Sequence, residues 1–238
     1  MGFTLAEVLI TLGIIGVVAV ITVPTIINNI QNRQNIAKLK KAYSVLSNTV
    51  NYIKLSGISL CNIDTPDTQK ICNGGSNAPV EFKDELVRLL EPLDVCGCDY
   101  GNRCGKAYPW AGLYNGCYSG GGGTIYKDFN GNPVGSRNID RRVLLLKDGT
   151  VVYFGYLDFP GLSITVDVNG TKGPNVLSKD LFLFIVTPKG LSPYGSPDTD
   201  YRSDYTGYKC DGDYSKVKDA VTIYMAAGAG CAAKYLIE

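Results

Sequence analysis

Residues 3–27 read FTLAEVLITLGIIGVVAVITVPTII, a segment that is almost entirely apolar. Every residue from Val8 to Val23 is aliphatic, Gly or Thr, and after Glu7 the next charged residue is Arg33. About 20 apolar helical residues cover the hydrocarbon core of a bilayer. The sequence therefore predicts a membrane-spanning helix over residues 3–27. A carboxylate inside such a span costs roughly 2.5–3.5 kcal/mol on insertion scales, so we expect Glu7 to have a partner.

Three residues are expected to shape how this helix packs. Gly13 and Gly16 allow neighbouring helices to approach closely, because they carry no side chain. Pro24 removes one backbone hydrogen bond, so we expect it to kink or loosen the helix.

A second pattern follows the apolar stretch. Apolar residues recur at alternating intervals of 3 and 4, which places them on one stripe of a helix: Ile36, Leu39, Tyr43, Leu46, Val50 and Ile53. A coiled coil is the alternative, but only about three heptads are present. We expect residues 28–56 to form the amphipathic second half of one long helix, packed on a sheet through this stripe.

The remainder, residues 57–238, carries the signals of a globular head with antiparallel strands. The segment RRVLLLKDGTVVYFGY predicts a β-hairpin that turns at Asp148 and Gly149. Further strands are predicted at LSITVDVNG and at DLFLFIVTPKG, the latter being the last clear strand. The predicted fold class is α+β, with the long helix packed on a mostly antiparallel sheet of three or four strands.

Helices and irregular segments surround these strands. The segment VEFKDELVRLLEPL predicts a short helix that Pro92 ends, and residues 94–136 are expected to be irregular. A last helix is predicted within YSKVKDAVTIYMAAGAGCAAKYLIE, before Gly228.

The composition argues against several classes of function. The chain has no histidine, which removes Ser-His-Asp and Cys-His nucleophile systems and histidine-ligated zinc. No paired-acid motif is recognisable either, so we do not expect an enzyme. The 23 basic and 22 acidic residues are spread along the chain and leave a net charge of +1, so no nucleic-acid partner is expected.

All eight cysteines follow the apolar stretch. An even number confined to the part outside the membrane favours disulfide bonds in an oxidising compartment. The rival interpretation, a thiolate metal site at Cys96, Cys98 and Cys104, lacks the paired C-x2-C spacing of structural zinc sites. Cys96 and Cys98 are expected to take different partners, because so short a ring strains the bond geometry. The cysteines are Cys61, Cys72, Cys96, Cys98, Cys104, Cys117, Cys210 and Cys231.

The opening segment GFTLAEVLITLGIIGVVAVITVPTI resembles the processing and assembly segment of type IV pilins and type II secretion pseudopilins. In that family a prepilin peptidase cuts between Gly and an aromatic residue and methylates the new N-terminus. The resemblance implies cleavage between Gly2 and Phe3 and N-methylation of Phe3, with residues 1–2 as a residual leader. Family leaders carry Lys or Arg before the glycine, so we expect either an upstream start or a peptidase that accepts a short leader.

The same resemblance implies a pilin-like fold and a role in assembly. Glu7 of an incoming subunit is then expected to pair with the α-amino group of Phe3 of a neighbour, and Pro24 matches the family's helix-loosening proline. The implied partners are other copies or related pilin subunits, the prepilin peptidase and an inner-membrane assembly platform.

The implied location is the bacterial inner membrane, with the head in the periplasm, and later a periplasmic or cell-surface filament. A pilus and a secretion pseudopilus are not distinguished by the sequence. An alternative function is a tip adhesin or binding subunit that uses the Tyr-rich loops at 100–126 and 194–214.

Family members often have a disulfide bond in the C-terminal region, so a disulfide between Cys210 and Cys231 is expected. Cys61 with Cys72 is the next expected pair. The remaining four cysteines would make two bonds in an order that the sequence leaves open.

Some major pseudopilins bind calcium in the C-terminal part of the head, and VDVNGTKGPNVLSKD offers hard oxygen ligands. The loop is not an EF-hand, since Lys172 stands where that loop wants Gly and Ser178 where it wants Glu. A turn stabilised by Asn-Gly and Gly-Pro is the alternative interpretation. The predicted calcium ligands are Asp167, Asn169, Asn175 and Asp180.

Overall fold

The computed structural model describes residues 2, 4–58, 60, 80–97, 126–132, 139–156, 162–170, 172–187, 189–199, 210 and 228–237. These residues combine a long apolar N-terminal helix with an antiparallel sheet, which is an α+β arrangement as predicted. The helices are α1 (Leu5–Leu55), α2 (Val80–Leu90) and α3 (Cys231–Ile237). The strands are β1 (Asp94–Gly97), β2 (Ile139–Leu145), β3 (Val151–Tyr156), β4 (Leu162–Asp167), β5 (Leu181–Thr187) and β6 (Gly190–Pro193).

Helix α1 is continuous over 51 residues, so the predicted apolar and amphipathic halves belong to one helix. At 1.5 Å per residue it is about 76 Å long. Pro24 lies inside it. Because proline has no N–H, the carbonyl of Val20 loses its intrahelical donor at that point.

The second half of α1 is buried along one stripe of side chains. Four of them were predicted, but Ile36 and Tyr43 are half-exposed, while Asn35 and Ala42 are buried in the stripe. Tyr43 lies at the edge of the stripe, where its ring stacks on Phe184 with centroids 5.6 Å apart. The buried set is Asn35, Leu39, Ala42, Leu46, Val50 and Ile53.

The six strands form one antiparallel sheet in chain order, each bonded to the next. The predicted hairpin joins β2 to β3. Its turn is closed by a hydrogen bond from the Leu146 N–H to the Thr150 carbonyl, 2.8 Å. Gly149 has a φ of +84° there, which a residue without a Cβ adopts readily.

The sheet is larger than predicted. Strand β1 falls inside the 94–136 segment that was expected to be irregular, and β6 follows the strand predicted to be the last. Both have only four residues, too few to show an alternating pattern. Pro193 is tolerated in β6 because that strand lies at the sheet edge. Helix α3 begins after Gly228, and the helix predicted from residue 214 lies outside the described residues.

The core lies between α1 and one face of the sheet. Strands β4 and β5 are buried at every position, so the opposite face of the sheet is covered too. The cluster around the stripe includes Leu144, Val152, Ile164, Val166, Phe182 and Phe184.

Replacing Leu46 by Ala tests the stripe. Leu46 is fully buried, so Leu46→Ala is expected to lower the free energy of unfolding by about 2–5 kcal/mol. The measurement is denaturant unfolding of the full chain in detergent micelles.

The adjacent Val45 provides a matched control, because its side chain is 42% exposed. Val45→Ala is expected to change stability by less than about 0.5 kcal/mol. Equal effects of the two substitutions would contradict the packing described here.

Candidate functional site

The first half of α1 presents an apolar surface that no other part of the chain covers among the described residues. Fifteen large hydrophobic side chains between residues 5 and 30 are exposed, from Val8 at 43% to Leu5 at 81%. The most apolar window of the helix has a mean hydropathy of 2.5 and no buried residue. By length and composition, α1 is sufficient to cross a membrane.

Two threonines of this half have their hydroxyl groups hydrogen-bonded within the helix. The Thr11 hydroxyl donates to the carbonyls of Glu7 and Val8, at 3.0 and 2.9 Å. The Thr22 hydroxyl donates to the carbonyl of Val18, 2.9 Å. These bonds allow polar side chains to lie in an apolar surrounding without an external partner.

Glu7 forms a capping box with Thr4 at the start of α1. The backbone N–H and the hydroxyl of Thr4 donate to one Glu7 carboxylate oxygen, at 2.9 and 2.8 Å. In return, the backbone N–H of Glu7 donates to the Thr4 hydroxyl at 3.3 Å. The T-x-x-E signature of this motif was visible in the sequence but was missed. Glu7 thus has a local partner in the single chain, while Gly2 is exposed and Phe3 lies outside the described residues.

The loop between β4 and β5, residues 168–180, brings the four predicted calcium ligands together. The two oxygens of Asp180 accept the backbone N–H groups of Asn175 and Val176, at 2.7 and 2.8 Å. The amide nitrogen of Asn169 donates to the same carboxylate at 3.4 Å and to the carbonyl of Gly173 at 3.3 Å.

Asp167 ends β4 and faces the same loop. One of its oxygens accepts the backbone N–H groups of Asn169 and Gly170, at 3.0 and 2.8 Å. The other accepts a short hydrogen bond from the hydroxyl of Tyr126. Sequence reasoning missed Tyr126, because it comes from a distant segment that no local pattern connects to β4.

The two aspartates are fully buried, which disfavours their charged forms. Burial raises the pKa of Asp167 to about 7, and the nearby charge of Asp180 adds to this. Burial also raises the pKa of Asp180, against the opposing effect of its hydrogen bonds from Asn175 and Val176.

The amide oxygens of Asn169 and Asn175 are buried and accept no hydrogen bond from the residues that the structure describes. Within the part of the chain that the structure describes, no three Asp, Glu or Cys side chains are grouped to hold a metal ion. A cation here would therefore need amide or backbone oxygens beside the two carboxylates. The hydrogen bonds fit a stabilised turn as well, so calcium binding stays a prediction.

The C-terminal segment is attached to the head beside this loop. Cys210 and Cys231, the pair expected first, form a disulfide with their Cα atoms 4.4 Å apart. The Ser178 hydroxyl makes a short hydrogen bond to the carbonyl of Gly228. The expected bonds of the other six cysteines involve side chains outside those that the structure describes.

No family model matches this chain, and neither a curated protein nor a solved structure is detectably similar to it.

The raised pKa of Asp167 predicts a pH-dependent stability. A carboxyl whose pKa is higher in the folded than in the unfolded chain stabilises the fold while it is protonated, and this contribution is lost as the pH rises to the folded value. We expect the free energy of unfolding, measured with a chelator present, to fall by roughly 2–4 kcal/mol between pH 4 and 8. Asp167→Asn should flatten this slope.

Asp148→Asn is the control for this measurement. Asp148 pairs with Lys41 at 2.7 Å, and the hydrogen bond from Lys41 helps to hold its pKa below the ordinary value despite partial burial. Its contribution is lost only as the pH falls below the usual carboxyl range, so the slope near neutral pH should not change. An identical flattening in both variants would contradict the assignment to Asp167.

Calcium binding predicts stabilisation that depends on Asp180. A ligand at about 100 times its Kd stabilises the folded chain by roughly 2.7 kcal/mol. We expect calcium at pH 8 to raise the melting temperature of the chain, and Asp180→Asn to abolish the rise. If calcium does not change the melting temperature relative to sodium at the same ionic strength, calcium binding is contradicted and the stabilised turn is the interpretation that stays.

Proposed function

We propose that this chain is a structural subunit of a type IV pilus-like or type II secretion pseudopilus filament. It is held in the inner membrane by the first half of α1, with its head in the periplasm, until it polymerises. The single observation that carries the proposal is the continuous helix α1, which packs on the sheet with its second half and exposes fifteen large apolar side chains along its first.

Such a surface is stable only in lipid or against other apolar helices. Both environments occur in one assembly pathway, in which a subunit leaves the membrane and enters a bundle of identical helices. A Cβ added at Gly13 or Gly16 would meet nothing within 4 Å. These positions therefore leave room for the backbone of a neighbouring α1 to approach.

Glu7 has the central role in this assembly. The capping box supplies hydrogen bonds to its carboxylate but no positive charge. In an apolar core the carboxylate is stabilised further by a cation. Cleavage by a prepilin peptidase between Gly2 and Phe3 would provide one, the methylated α-amino group of Phe3 on the neighbouring subunit.

The capping box allows the two roles of Glu7 to be separated. Gln is accepted at this position of a capping box, so Glu7→Gln keeps the cap but removes the charge. Because breaking a buried ion pair costs about 3–5 kcal/mol, we expect the variant to insert into membranes normally and to yield few or no filaments. Filament yield is measured by electron microscopy of cells in which the variant is the sole subunit.

Thr4→Ala is the matched control, since it removes the cap and keeps the charge. Loss of such a cap costs about 1 kcal/mol of helix stability, so filaments should still form. A normal filament yield from Glu7→Gln, or an equal loss in both variants, would refute the charge-pairing role.

A further inference from the structure

One end of the sheet lies next to the apolar half of α1. The amide nitrogen of Asn35, the first buried residue of the stripe, donates to the carbonyl of Lys179 at 3.0 Å. The loop of residues 168–180 therefore contacts α1 where the helix leaves its apolar half. At the opposite end of the sheet, the ammonium group of Lys54 donates to the carbonyl of Lys189 at 3.4 Å.

Five basic residues belong to the segments that meet at the end near Asn35, and we call them the cationic collar. They come from three separate segments, and all are exposed. Lys127 is tied to the loop by its backbone, which exchanges hydrogen bonds with Asn175 and Leu177 at 2.9 and 2.8 Å. None of the five forms an ion pair within the part of the chain that the structure describes. The collar consists of Arg33, Lys38, Lys127, Lys172 and Lys179.

The described acidic residues near this end are either buried, paired with another lysine or distant from the collar. Asp128, Asp167 and Asp180 are at most 2% exposed. Asp148 and Glu91 are exposed but paired, with Lys41 at 2.7 Å and Lys147 at 3.0 Å. Asp94 begins the edge strand β1, three strands from β4 and hence about 14 Å away. Among the residues that the structure describes, the exposed surface around the collar is therefore positive.

The height of the collar along α1 matches a membrane surface. The apolar run from Val8 to Ile27 has 20 residues, or about 30 Å of helix, which equals the thickness of the hydrocarbon core. Arg33 and Asn35 follow Ile27 by 6 and 8 residues, about 9 and 12 Å along the axis. The headgroup layer extends about 5–8 Å beyond the core, so long basic side chains at this height reach the phosphates.

We propose that the cationic collar binds the headgroups of anionic phospholipids in the membrane that holds α1. The inference rests on the proposed membrane-held state and adds a ligand for the head itself. Each basic side chain close to an anionic bilayer strengthens binding roughly fivefold. The collar thereby holds the head against the bilayer before assembly. Its contacts with the lipid headgroups break when a subunit leaves the membrane.

The test uses the full chain reconstituted in bilayers with equal amounts of phosphatidylglycerol and phosphatidylcholine. Native mass spectrometry then counts the phospholipids that stay bound after release. We expect the natural chain to retain phosphatidylglycerol over phosphatidylcholine by roughly fivefold or more. Lys172→Gln with Lys179→Gln should lower this ratio at least threefold, and about 0.5 M salt in the reconstitution buffer should lower it in the natural chain.

Lys54→Gln with Lys189→Gln is the matched control, because it removes the same charge at the opposite end of the sheet. Its ratio should equal that of the natural chain. Equal ratios in all three chains would overturn the collar proposal. If the collar variant also assembled poorly into filaments while its lipid ratio was unchanged, the collar would instead contact an acidic neighbouring subunit. Flotation with phosphatidylcholine vesicles alone reports separately on the membrane-held state, since it does not depend on the collar.

Discussion

Helix α1 is one continuous helix whose second half packs on the sheet and whose first half exposes apolar side chains. The rest of the structure depends on this arrangement. Leu39, Leu46 and Ile53 are fully buried against the sheet, whereas the first half of the helix is exposed and packs on no other described element. Since both halves belong to one helix, the sheet fixes the direction in which the apolar half leaves the head. Asn35 marks the change, because its hydrogen bond to the Lys179 carbonyl ties the β4–β5 loop to this point of the helix.

The two faces of the sheet differ in chemistry. The face under α1 is aliphatic and aromatic, while β4 places Ser163, Thr165 and Asp167 on the other face, all buried. The Asp167 carboxylate orders the start of the loop and Asp180 orders its end, and Asn169 bonds to both. Two buried carboxylates that share one asparagine repel each other when both are charged. A proton on one carboxylate or a cation between the two relieves this repulsion. Protonation and calcium binding would therefore compete at this loop.

Long elements with a strong period were predictable, and short ones were not. The stripe of α1, the turn at Asp148 and the buried runs of β4 and β5 all follow from local patterns. β1 and β6 have four residues each and are held by pairing with a longer neighbour, which local sequence does not report. The contact of Tyr126 with Asp167 joins residues 41 positions apart, so it depends on the completed sheet. The stripe itself shifted toward Asn35 because a tertiary hydrogen bond outweighs the polarity of that side chain.

The distribution of charge along α1 limits which group can pair with Glu7. Glu7 and Arg33 are 26 residues apart, which is about 39 Å of helix. No charged residue lies between them. In a parallel bundle whose neighbours are offset by much less than 39 Å, the collar and its helix therefore cannot reach the carboxylate of an adjacent subunit. The nearest cation that such a bundle could offer is an α-amino group at the N-terminal end of a neighbouring helix, and the proposed cleavage before Phe3 would place one at the same end of the helix as Glu7. An ion pair at Glu7 thus requires either an α-amino group at this end of a neighbouring helix or an offset long enough to bring the collar of one subunit to the end of another.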